Sequence, residues 1–464
     1  MASENATHII GISVRRLFGI YDYDLPTKDK KKNLENIMIL YGVNGSGKST
    51  ILKMLFHLLS PEHGVGHKTY IARVKFSSFE VCFSNGIAIS ANRHKDKLLG
   101  SYTMQIKKDN QILNKFFFEA NEQNEIPTQN QSEEKSYFSF LDALSKHTVL
   151  MYFLSDDRNI LFSEKQRQIN IRKNSALAGH TERLENRFRL SPEEIAIYLL
   201  TESIKRAETW IQKQVLSAST KGESNVNAIY EDIISQIAYS TTDQAEDKHV
   251  SANELKNEIK LLDIRIQDYS KYGLISDFNG SNLLKILSAK QKNVLLISRI
   301  LSPYLNGLRA KLDALEYIQS RIATLKSTMN ENFLTTKTFN FNLNRGIEIL
   351  QGGERLLPHM LSSGERHLLL LFCNTITALD QPRILIIDEP ELSLNVTWQR
   401  LLVKSLMKCV GNSPVQYIFA THSLEILSQH MDKVQTLEAK ASKKKITAAS
   451  AEAEDQLVES GENE

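Results

Sequence analysis

Residues 42–49 read GVNGSGKS and match the phosphate-binding loop pattern Gly-x-x-x-x-Gly-Lys-Ser in full. An apolar run, Ile37–Tyr41, precedes the loop, and a stretch with helical character, Ile51–Leu59, follows it. We therefore expect the loop to join a strand to a helix that starts near Thr50. Glycines let backbone N–H groups turn toward phosphate oxygens, and the helix N-terminus adds partial positive charge. The alternative is a glycine-rich turn without a ligand, which the complete pattern and its context disfavour.

The loop predicts a site for a nucleotide and Mg²⁺, with ATP as the expected nucleotide. Lys48 is expected to reach the β and γ phosphates, and the hydroxyl of Ser49 is expected to hold Mg²⁺. The predicted nucleotide-binding residues of the loop are Gly42, Asn44, Gly45, Ser46, Gly47, Lys48, Ser49 and Thr50.

A second motif, ILIIDEP at residues 384–390, is an apolar run that ends in two carboxylates. A continuous Ile/Leu run is typical of a strand that is buried on both faces of a parallel sheet. Asp388 at its end is the expected second Mg²⁺ ligand, and Glu389 is the candidate that polarises the attacking water.

The sequence LSSGE at residues 361–365 precedes an apolar run with helical character, so it predicts a second anion-binding helix start. Simple helix capping is the alternative, but the position 19 residues ahead of Ile384 favours a functional role. A strand that ends in His422 offers a possible γ-phosphate contact, although a lone histidine is more often structural. The predicted residues of the second helix start are Ser362, Ser363, Gly364 and Glu365.

Composition narrows the class of protein. The chain has 464 residues, 41% of them hydrophobic, and a net charge of +3. That length suggests two to three domains, the apolar fraction excludes a wholly disordered chain, and the charge excludes a histone-like polymer binder. No apolar run could span a bilayer and the start lacks a secretory pattern. Three separated cysteines (Cys82, Cys373 and Cys409) predict neither a disulfide framework nor a zinc site, so we expect a cytoplasmic protein without a membrane partner.

The chain divides into four predicted parts. Residues 1–160 carry the phosphate loop and short β-prone segments that predict antiparallel hairpins, with a surface loop at Asn121–Lys135. Residues 161–330 predict an α-helical insertion, residues 331–438 return to alternating strands and helices, and residues 439–464 predict a disordered tail.

The insertion carries two seams of apolar residues with coiled-coil spacing, and an amphipathic bundle explains them equally well. Its first part, residues 161–190, has a net charge of +4 and could touch a partner or nucleic acid, although a solvated charged face is the more common explanation. The first seam comprises Leu255, Ile259, Leu262, Ile266 and Tyr269.

Together the motifs resemble an ABC-class ATPase: Walker A at 42–49, signature at 361–365, Walker B at 384–388, D-loop at 393–395 and H-switch at His422. The gap of more than 300 residues between the first two motifs resembles the split heads of SMC, Rad50 and overcoming-lysogenization-defect proteins. The resemblance implies an α/β fold: an ABC-type ATPase head with a mixed sheet around a P-loop core, an antiparallel β subdomain and an inserted α-helical or coiled-coil domain. It also implies a homo-oligomer in which two heads sandwich ATP and the signature acts in trans.

Three positions depart from the ABC pattern. The usual Q-loop glutamine is replaced by Ser155-Asp156-Asp157-Arg158, which leaves Asp157 and Arg158 as candidates for its role. The D-loop ends in Asn395, where related heads often carry His or Asp. Phe18 and Tyr21 are candidates for the aromatic residue that stacks on adenine, but a role in the hydrophobic core would explain these two aromatics equally well.

More narrowly, LFGIYDY at residues 17–23 resembles the AAA-family ATPase subunits of bacterial antiphage defence systems, most of all that of the PARIS system. That resemblance implies a separate Toprim nuclease, held inactive until a viral anti-restriction protein is sensed. The Septu system is the competitor and implies a His-Asn-His nuclease partner instead.

Two other function classes stay open at this stage. A DNA-repair ATPase of SMC or Rad50 type would bind duplex DNA directly, but the chain lacks the Cys-x-x-Cys motif of a zinc hook. A transporter ATPase would have a much shorter helical subdomain.

Overall fold

The computed structural model describes residues 7–26, 36–94, 97–127, 134–156, 160–162, 191–239, 252–276, 278–288, 294–381 and 383–438. The Q-loop candidates Asp157 and Arg158, most of the basic segment and the tail 439–464 lie outside the described residues. The chain forms two compact units, one of Met1–His180, Pro382–Pro390 and Gln416–Glu464, the other of Thr181–Gln381 and Glu391–Val415. The four-part division at residues 160, 330 and 438 stays a prediction.

The first unit contains an antiparallel sheet in the order β2-β1-β4-β5-β6-β7. Alternate residues of β4 are buried, as expected for a strand with one face on the core. The hairpins expected between residues 70 and 118 are present, and β2 is a strand that the sequence analysis did not predict. The strands are β1 (Ile9–Leu17), β2 (Tyr21–Leu25), β4 (Ser78–Phe83), β5 (Ile87–Asn92), β6 (Tyr102–Lys108) and β7 (Gln111–Phe118).

The second sheet of this unit has the order β15-β3-β14-β13-β8-β9. Strand β3 is parallel to β14 and β15, β13 is parallel to β8, and β9 is antiparallel to β8, so the sheet is mixed. Every residue of β13 is buried, which agrees with its continuous apolar sequence. The strands are β3 (Ile37–Tyr41), β8 (Leu150–Leu154), β9 (Ile160–Phe162), β13 (Arg383–Asp388), β14 (Val415–Thr421) and β15 (Val434–Thr436).

Three helices of the first unit, α1 (Lys48–Leu59), α2 (His67–Arg73) and α3 (Glu134–His147), contribute to its core. Helix α3 begins at Glu134, so the end of the loop expected at Asn121–Lys135 is helical. The reason is an apolar face on α3: Phe140 packs against Phe116 and Phe118 of β7 at ring distances of 5.9 Å.

The second unit is mainly helical, with a three-stranded antiparallel sheet. Its longest helices have 48 and 39 residues, and short 3₁₀ turns lie at Pro358–Met360 here and at Met431–Lys433 in the first unit. The elements are α4 (Pro192–Tyr239), α5 (Ala252–Ser270), α6 (Gly280–Ser288), α7 (Val294–Asn332), β10 (Thr338–Asn342), β11 (Gly346–Gln351), β12 (Glu354–Leu356), α8 (Ser363–Thr377) and α9 (Val396–Val410).

Between Pro192 and Asn332 the described residues of the insertion are mainly α-helical, as predicted, whereas Leu161 and Phe162 belong to strand β9. Helix α7 packs against both α4 and α5, and all five residues of the first seam are buried. At the rim of that seam Arg265 of α5 pairs with Asp313 at 2.6 Å and with Glu316 at 3.2 Å on α7. The predicted α/β fold of an ABC-type ATPase head with an inserted helical region is therefore confirmed.

Candidate nucleotide site

The phosphate loop connects β3 to α1, as its sequence predicts. Helix α1 begins at Lys48, two residues before the predicted start at Thr50. Gly47 caps the helix with φ +91° and ψ 14°, a left-handed conformation that favours glycine. A Cβ atom on Gly47 would lie 2.7 Å from Cδ2 of Leu17, so no other residue fits there without a shift.

Lys48 lies inside the loop rather than on the surface, with 5% of its area exposed. Its ammonium donates to the carbonyl of Gly42 at 2.7 Å and more weakly to that of Val43 at 3.4 Å. Carbonyl dipoles solvate this cation without neutralising it, so its full charge is available to a phosphate.

Asp388 ends strand β13 beside the loop, with 1% of its area exposed. Neither of its carboxylate oxygens makes a well-formed hydrogen bond within the described part of the chain. Burial raises the pKa of Asp388 to about 6, Asp156 and Glu389 act in the same direction, and the nearby Ser49 hydroxyl and Lys53 ammonium oppose the rise. A buried carboxylate without full hydrogen bonding, next to a serine hydroxyl, fits Mg²⁺, which prefers oxygen ligands.

Glu389 and His422 form a pair at the ends of adjacent strands, β13 and β14. Nδ1 of His422 lies 2.8 Å from Oε2 of Glu389. The backbone N–H of Glu389 donates to the carbonyl of Ala420 at 2.8 Å, and Glu389 has φ +51°, an uncommon conformation for a residue with a side chain. Strain of this kind persists only where surrounding contacts impose it.

An ion pair borders this region. Lys53 on α1 and Asp156 after β8 face each other at 3.8 Å, and Asp156 of the altered Q-loop is close enough to Asp388 to raise its pKa. No motif singled out Lys53, although its place one turn and a half beyond Lys48 on the same helix could have drawn attention to it.

Of the candidate adenine-stacking aromatics, Phe18 lies in the turn between β1 and β2, and Tyr21 begins β2. Phe18 is 40% exposed, and its ring meets Tyr21 edge-on at 6.3 Å. Tyr21 in turn stacks on Tyr23 at 5.8 Å. Phe18 borders the phosphate loop, because its Cε2 lies 3.3 Å from the position that a Cβ on Gly47 would take.

The signature residues start helix α8 in the second unit. Ser362 and Glu365 form a capping box: the Ser362 hydroxyl accepts from the Glu365 N–H at 3.3 Å, and the Ser362 N–H donates to Glu365 Oε2 at 2.7 Å. Lys337 also donates to that carboxylate oxygen at 2.7 Å. Burial would raise the pKa of Glu365, but Lys337 and the Ser362 hydrogen bonds outweigh it and hold the pKa below its usual value.

Signature and D-loop are in contact within the second unit. A Cβ on Gly364 would lie 2.6 Å from the carbonyl oxygen of Ser393, so this glycine permits a close backbone approach. Ser393 has φ +66°, and Asn395 caps helix α9 by accepting from the N–H of Trp398 at 2.9 Å. Ser363 is half-buried beside them. The structure thus brings together Walker A, Asp388, Glu389 and His422 in one unit, and signature and D-loop in the other.

A family model described as "AAA domain, putative AbiEii toxin, Type IV TA system" matches residues 37–428. The chain belongs to this AAA-domain family. The match begins at strand β3 and ends just after the one-turn helix α10 (Leu424–Leu427). It includes the phosphate loop, the signature, the D-loop, Asp388, Glu389 and His422, but not the LFGIYDY stretch at residues 17–23. Within the described part of the chain, no helix has the length and apolarity needed to cross a bilayer.

Curated relatives of this AAA-domain protein include two proteins of Escherichia coli. The retron Ec83 probable ATPase is 25% identical over 242 residues, 49% of this chain and 41% of that protein. The peptide transport system ATP-binding protein SapD is 31% identical over 123 residues, 24% of this chain and 36% of that protein. The match thus spans less than half of either relative. These similarities relate the chain to ATP-binding proteins of the AAA and ABC classes.

Among solved structures, the Smc head domain of Pyrococcus furiosus with an extended coiled coil, bound to the C-terminal domain of ScpA, aligns over 98% of this chain and 99% of that chain. The identity is 11% and the TM-score is 0.38.

Proposed function

We propose that this chain is the ATP-hydrolysing subunit of an antiphage defence system that holds and releases a separate nuclease. The hydrolytic part of the proposal depends on one observation, the Glu389–His422 pair beside the phosphate loop and Asp388. The defence part is supported by the retron ATPase relative and by the LFGIYDY resemblance.

The residues of the first unit would divide the work of phosphoryl transfer. Lys48 binds the β and γ phosphates, while the Ser49 hydroxyl and the Asp388 carboxylate hold Mg²⁺. When bound, Mg²⁺ neutralises charge on the phosphate oxygens. Glu389 orients and polarises the attacking water, and His422 holds the Glu389 carboxylate in place and contacts the γ-phosphate.

The second unit would complete the site in a partner copy. Ser362, Ser363, Gly364 and Glu365 begin helix α8, whose N-terminal N–H groups favour an anion. In a head-to-head dimer these groups would face the γ-phosphate held by the other copy. ATP would then close the dimer, and hydrolysis would open it.

The proposed effector is a Toprim nuclease on a separate chain, released when a viral anti-restriction protein is sensed, as in a PARIS-like system. A Septu-like system would use a His-Asn-His nuclease instead. Co-purification with the product of the neighbouring gene separates the two, because the partner's nuclease class differs.

Glu389→Gln tests the hydrolytic role. The amide cannot accept the water proton, so steady-state ATP hydrolysis should fall at least about 100-fold, while ATP binding persists and an ATP-dependent dimer accumulates in sedimentation experiments. Glu354→Gln, on the exposed strand β12, is the matched control and should behave as wild type. Wild-type hydrolysis in Glu389→Gln would remove Glu389 from the mechanism.

The same assay addresses the competing DNA-repair function. Plain duplex DNA should leave the ATPase rate of the isolated chain nearly unchanged. Strong stimulation by duplex DNA without any partner protein would favour an ATPase of SMC or Rad50 type over the defence proposal.

A further inference from the structure

The back of the phosphate loop rests on the turn between β1 and β2. Leu17 and Phe18 of this turn lie against Gly47, at 2.7 and 3.3 Å from the position a Cβ would take there. Tyr23 on β2 reaches the neighbouring residue, because its hydroxyl donates to the carbonyl oxygen of Ser46 at 2.9 Å.

We propose that Tyr23 is a positioning residue for nucleotide binding, which holds the Ser46–Gly47 peptide so that its N–H faces the phosphates. The inference rests on the proposed function of the loop as an ATP site. The phosphate-loop pattern begins at Gly42, and the LFGIYDY stretch, which ends at Tyr23, carries no role for this side chain in nucleotide binding.

The argument follows from peptide geometry. In a planar trans peptide the C=O and the following N–H point in opposite directions. A hydrogen bond that anchors the Ser46 carbonyl toward Tyr23 therefore directs the Gly47 N–H to the other side of the loop. That N–H is one of the first donors at the start of α1, and a free peptide could rotate it out of reach of a phosphate.

Tyr23 is well placed to act as a fixed donor. Its side chain is 4% exposed and stacks on Tyr21 at 5.8 Å. Arg15 donates to the Tyr23 carbonyl at 3.0 Å. Burial, aided by Tyr21, raises the pKa of Tyr23 to about 12, so the hydroxyl keeps its proton over the whole working pH range.

The turn that carries these contacts is itself tightly held. Arg16 and Phe18 have φ +53° and +56°, a conformation that residues with side chains adopt only where contacts impose it. The N–H of Arg16 donates to Asp22 Oδ1 at 2.6 Å, and the N–H of Phe18 donates to the Lys75 carbonyl at 2.8 Å. The LFGIYDY stretch therefore has a structural meaning: it forms a rigid support for the loop.

Tyr23→Phe is the test, because it removes the hydroxyl and keeps the ring. ATP dissociation constants, measured by calorimetry with a non-hydrolysable analogue, should rise about three- to tenfold, the effect of one lost hydrogen bond. The KM for ATP should rise by a similar factor, while kcat stays within about twofold, since the reacting groups are untouched.

Tyr102→Phe is the matched control. Tyr102 is also a buried tyrosine whose hydroxyl donates to a backbone carbonyl, that of Lys68 at 2.9 Å, and Lys68 lies outside the phosphate loop. It should lower the melting temperature to a similar extent without changing ATP affinity.

The outcomes separate the two proposals. If wild type binds ATP and Tyr23→Phe binds equally well, or Tyr102→Phe weakens binding as much, the role of Tyr23 is wrong. If wild type binds no ATP, the proposed function itself fails.

Discussion

Nδ1 of His422 lies 2.8 Å from Oε2 of Glu389, at the point where two neighbouring strands of the mixed sheet end. Glu389 is therefore held at two points. His422 contacts its carboxylate, and its backbone N–H donates to the carbonyl of Ala420 at 2.8 Å. Because the carboxylate is already positioned, it loses little conformational entropy when it orients the attacking water.

His422→Ala should lower kcat for ATP about 10- to 100-fold, because Glu389 loses the partner that orients it. ATP affinity should change much less. In the double variant with Glu389→Gln the two losses should not add, since both act through one carboxylate. Fully additive losses in steady-state kinetics would contradict this coupling.

Asp388→Asn should stabilise the protein and abolish its activity. Removing a buried charge whose pKa is raised to about 6 should increase the free energy of unfolding by about 1–3 kcal/mol at pH 7. Mg²⁺-dependent hydrolysis should be lost, because an amide is a poor substitute for a carboxylate ligand.

Scanning calorimetry without nucleotide measures the expected gain in stability, and an ATPase assay measures the expected loss of hydrolysis. A lower melting temperature for Asp388→Asn would mean that the buried carboxylate is satisfied by its surroundings and is not kept for a cation.

Gly364→Ala should separate the signature from the D-loop. The new methyl group would meet the Ser393 carbonyl at 2.6 Å, so backbone must move, at a cost of about 1–3 kcal/mol in unfolding free energy. ATP hydrolysis should fall more than about tenfold, because both motifs shift.

The control for this substitution is Gly353→Ala, in the turn between β11 and β12. Nothing lies within 4 Å of its new Cβ, and its φ of +90° adds only left-handed strain of about 1 kcal/mol. Activity should stay at the wild-type level there. Equal ATPase losses in both variants would show that the Ser393 contact is not responsible, since nothing lies within 4 Å of the new Cβ at Gly353.

Stability should fall as the pH drops below about 6.5, through His57 at the end of α1. Burial lowers the pKa of His57 well below its usual value, and the neighbouring His67, Lys68 and Lys53 act in the same direction. Below its ordinary pKa, His57 is therefore protonated in the unfolded state and neutral in the folded state. The protein has its full free energy of unfolding above the pKa that His57 has in the unfolded chain, and this free energy decreases as the pH falls below that value.

His57→Phe should make the free energy of unfolding less dependent on pH. The substitution keeps an aromatic ring beside Tyr70, whose ring centroid lies 4.2 Å from that of the His57 imidazole in the wild-type protein. Urea midpoints at pH 7.5 and 5.0 for both proteins measure the difference in slope. Parallel slopes would assign the acid sensitivity to other groups.

The sequence was most informative for features that depend on residues close together in the chain. The strand–loop–helix unit around Lys48 and the buried strand that ends at Asp388 follow from local pattern, and both are present. The capping box of Ser362 and Glu365 is visible in the spacing of serine and acid. Such features depend on neighbours within a few residues.

Long-range contacts could not be predicted in the same way. The Glu389–His422 pair depends on β13 and β14 being adjacent, which no periodicity reveals. Tyr23 is coupled to Ser46 across 23 residues, and Lys337 to Glu365 across 28. Strand β2 was missed because Tyr21–Leu25 is short and alternates with aspartates, and its pairing with β1 supplies the stability that its sequence lacks.

The order of strands also governs how the protein is made. Strand β3, which leads into the phosphate loop, sits between β14 and β15, and both of these come from the C-terminal part of the chain. A ribosome that has finished Tyr41 must add more than 370 residues before Val415 emerges, which takes roughly 20–75 s at bacterial and eukaryotic elongation rates. During that time β3 cannot form its pairings with β14 and β15, although α1 can already pack against the antiparallel sheet formed by the N-terminal strands. The apolar strand that leads into the proposed nucleotide loop is therefore among the last of this sheet to gain its neighbours.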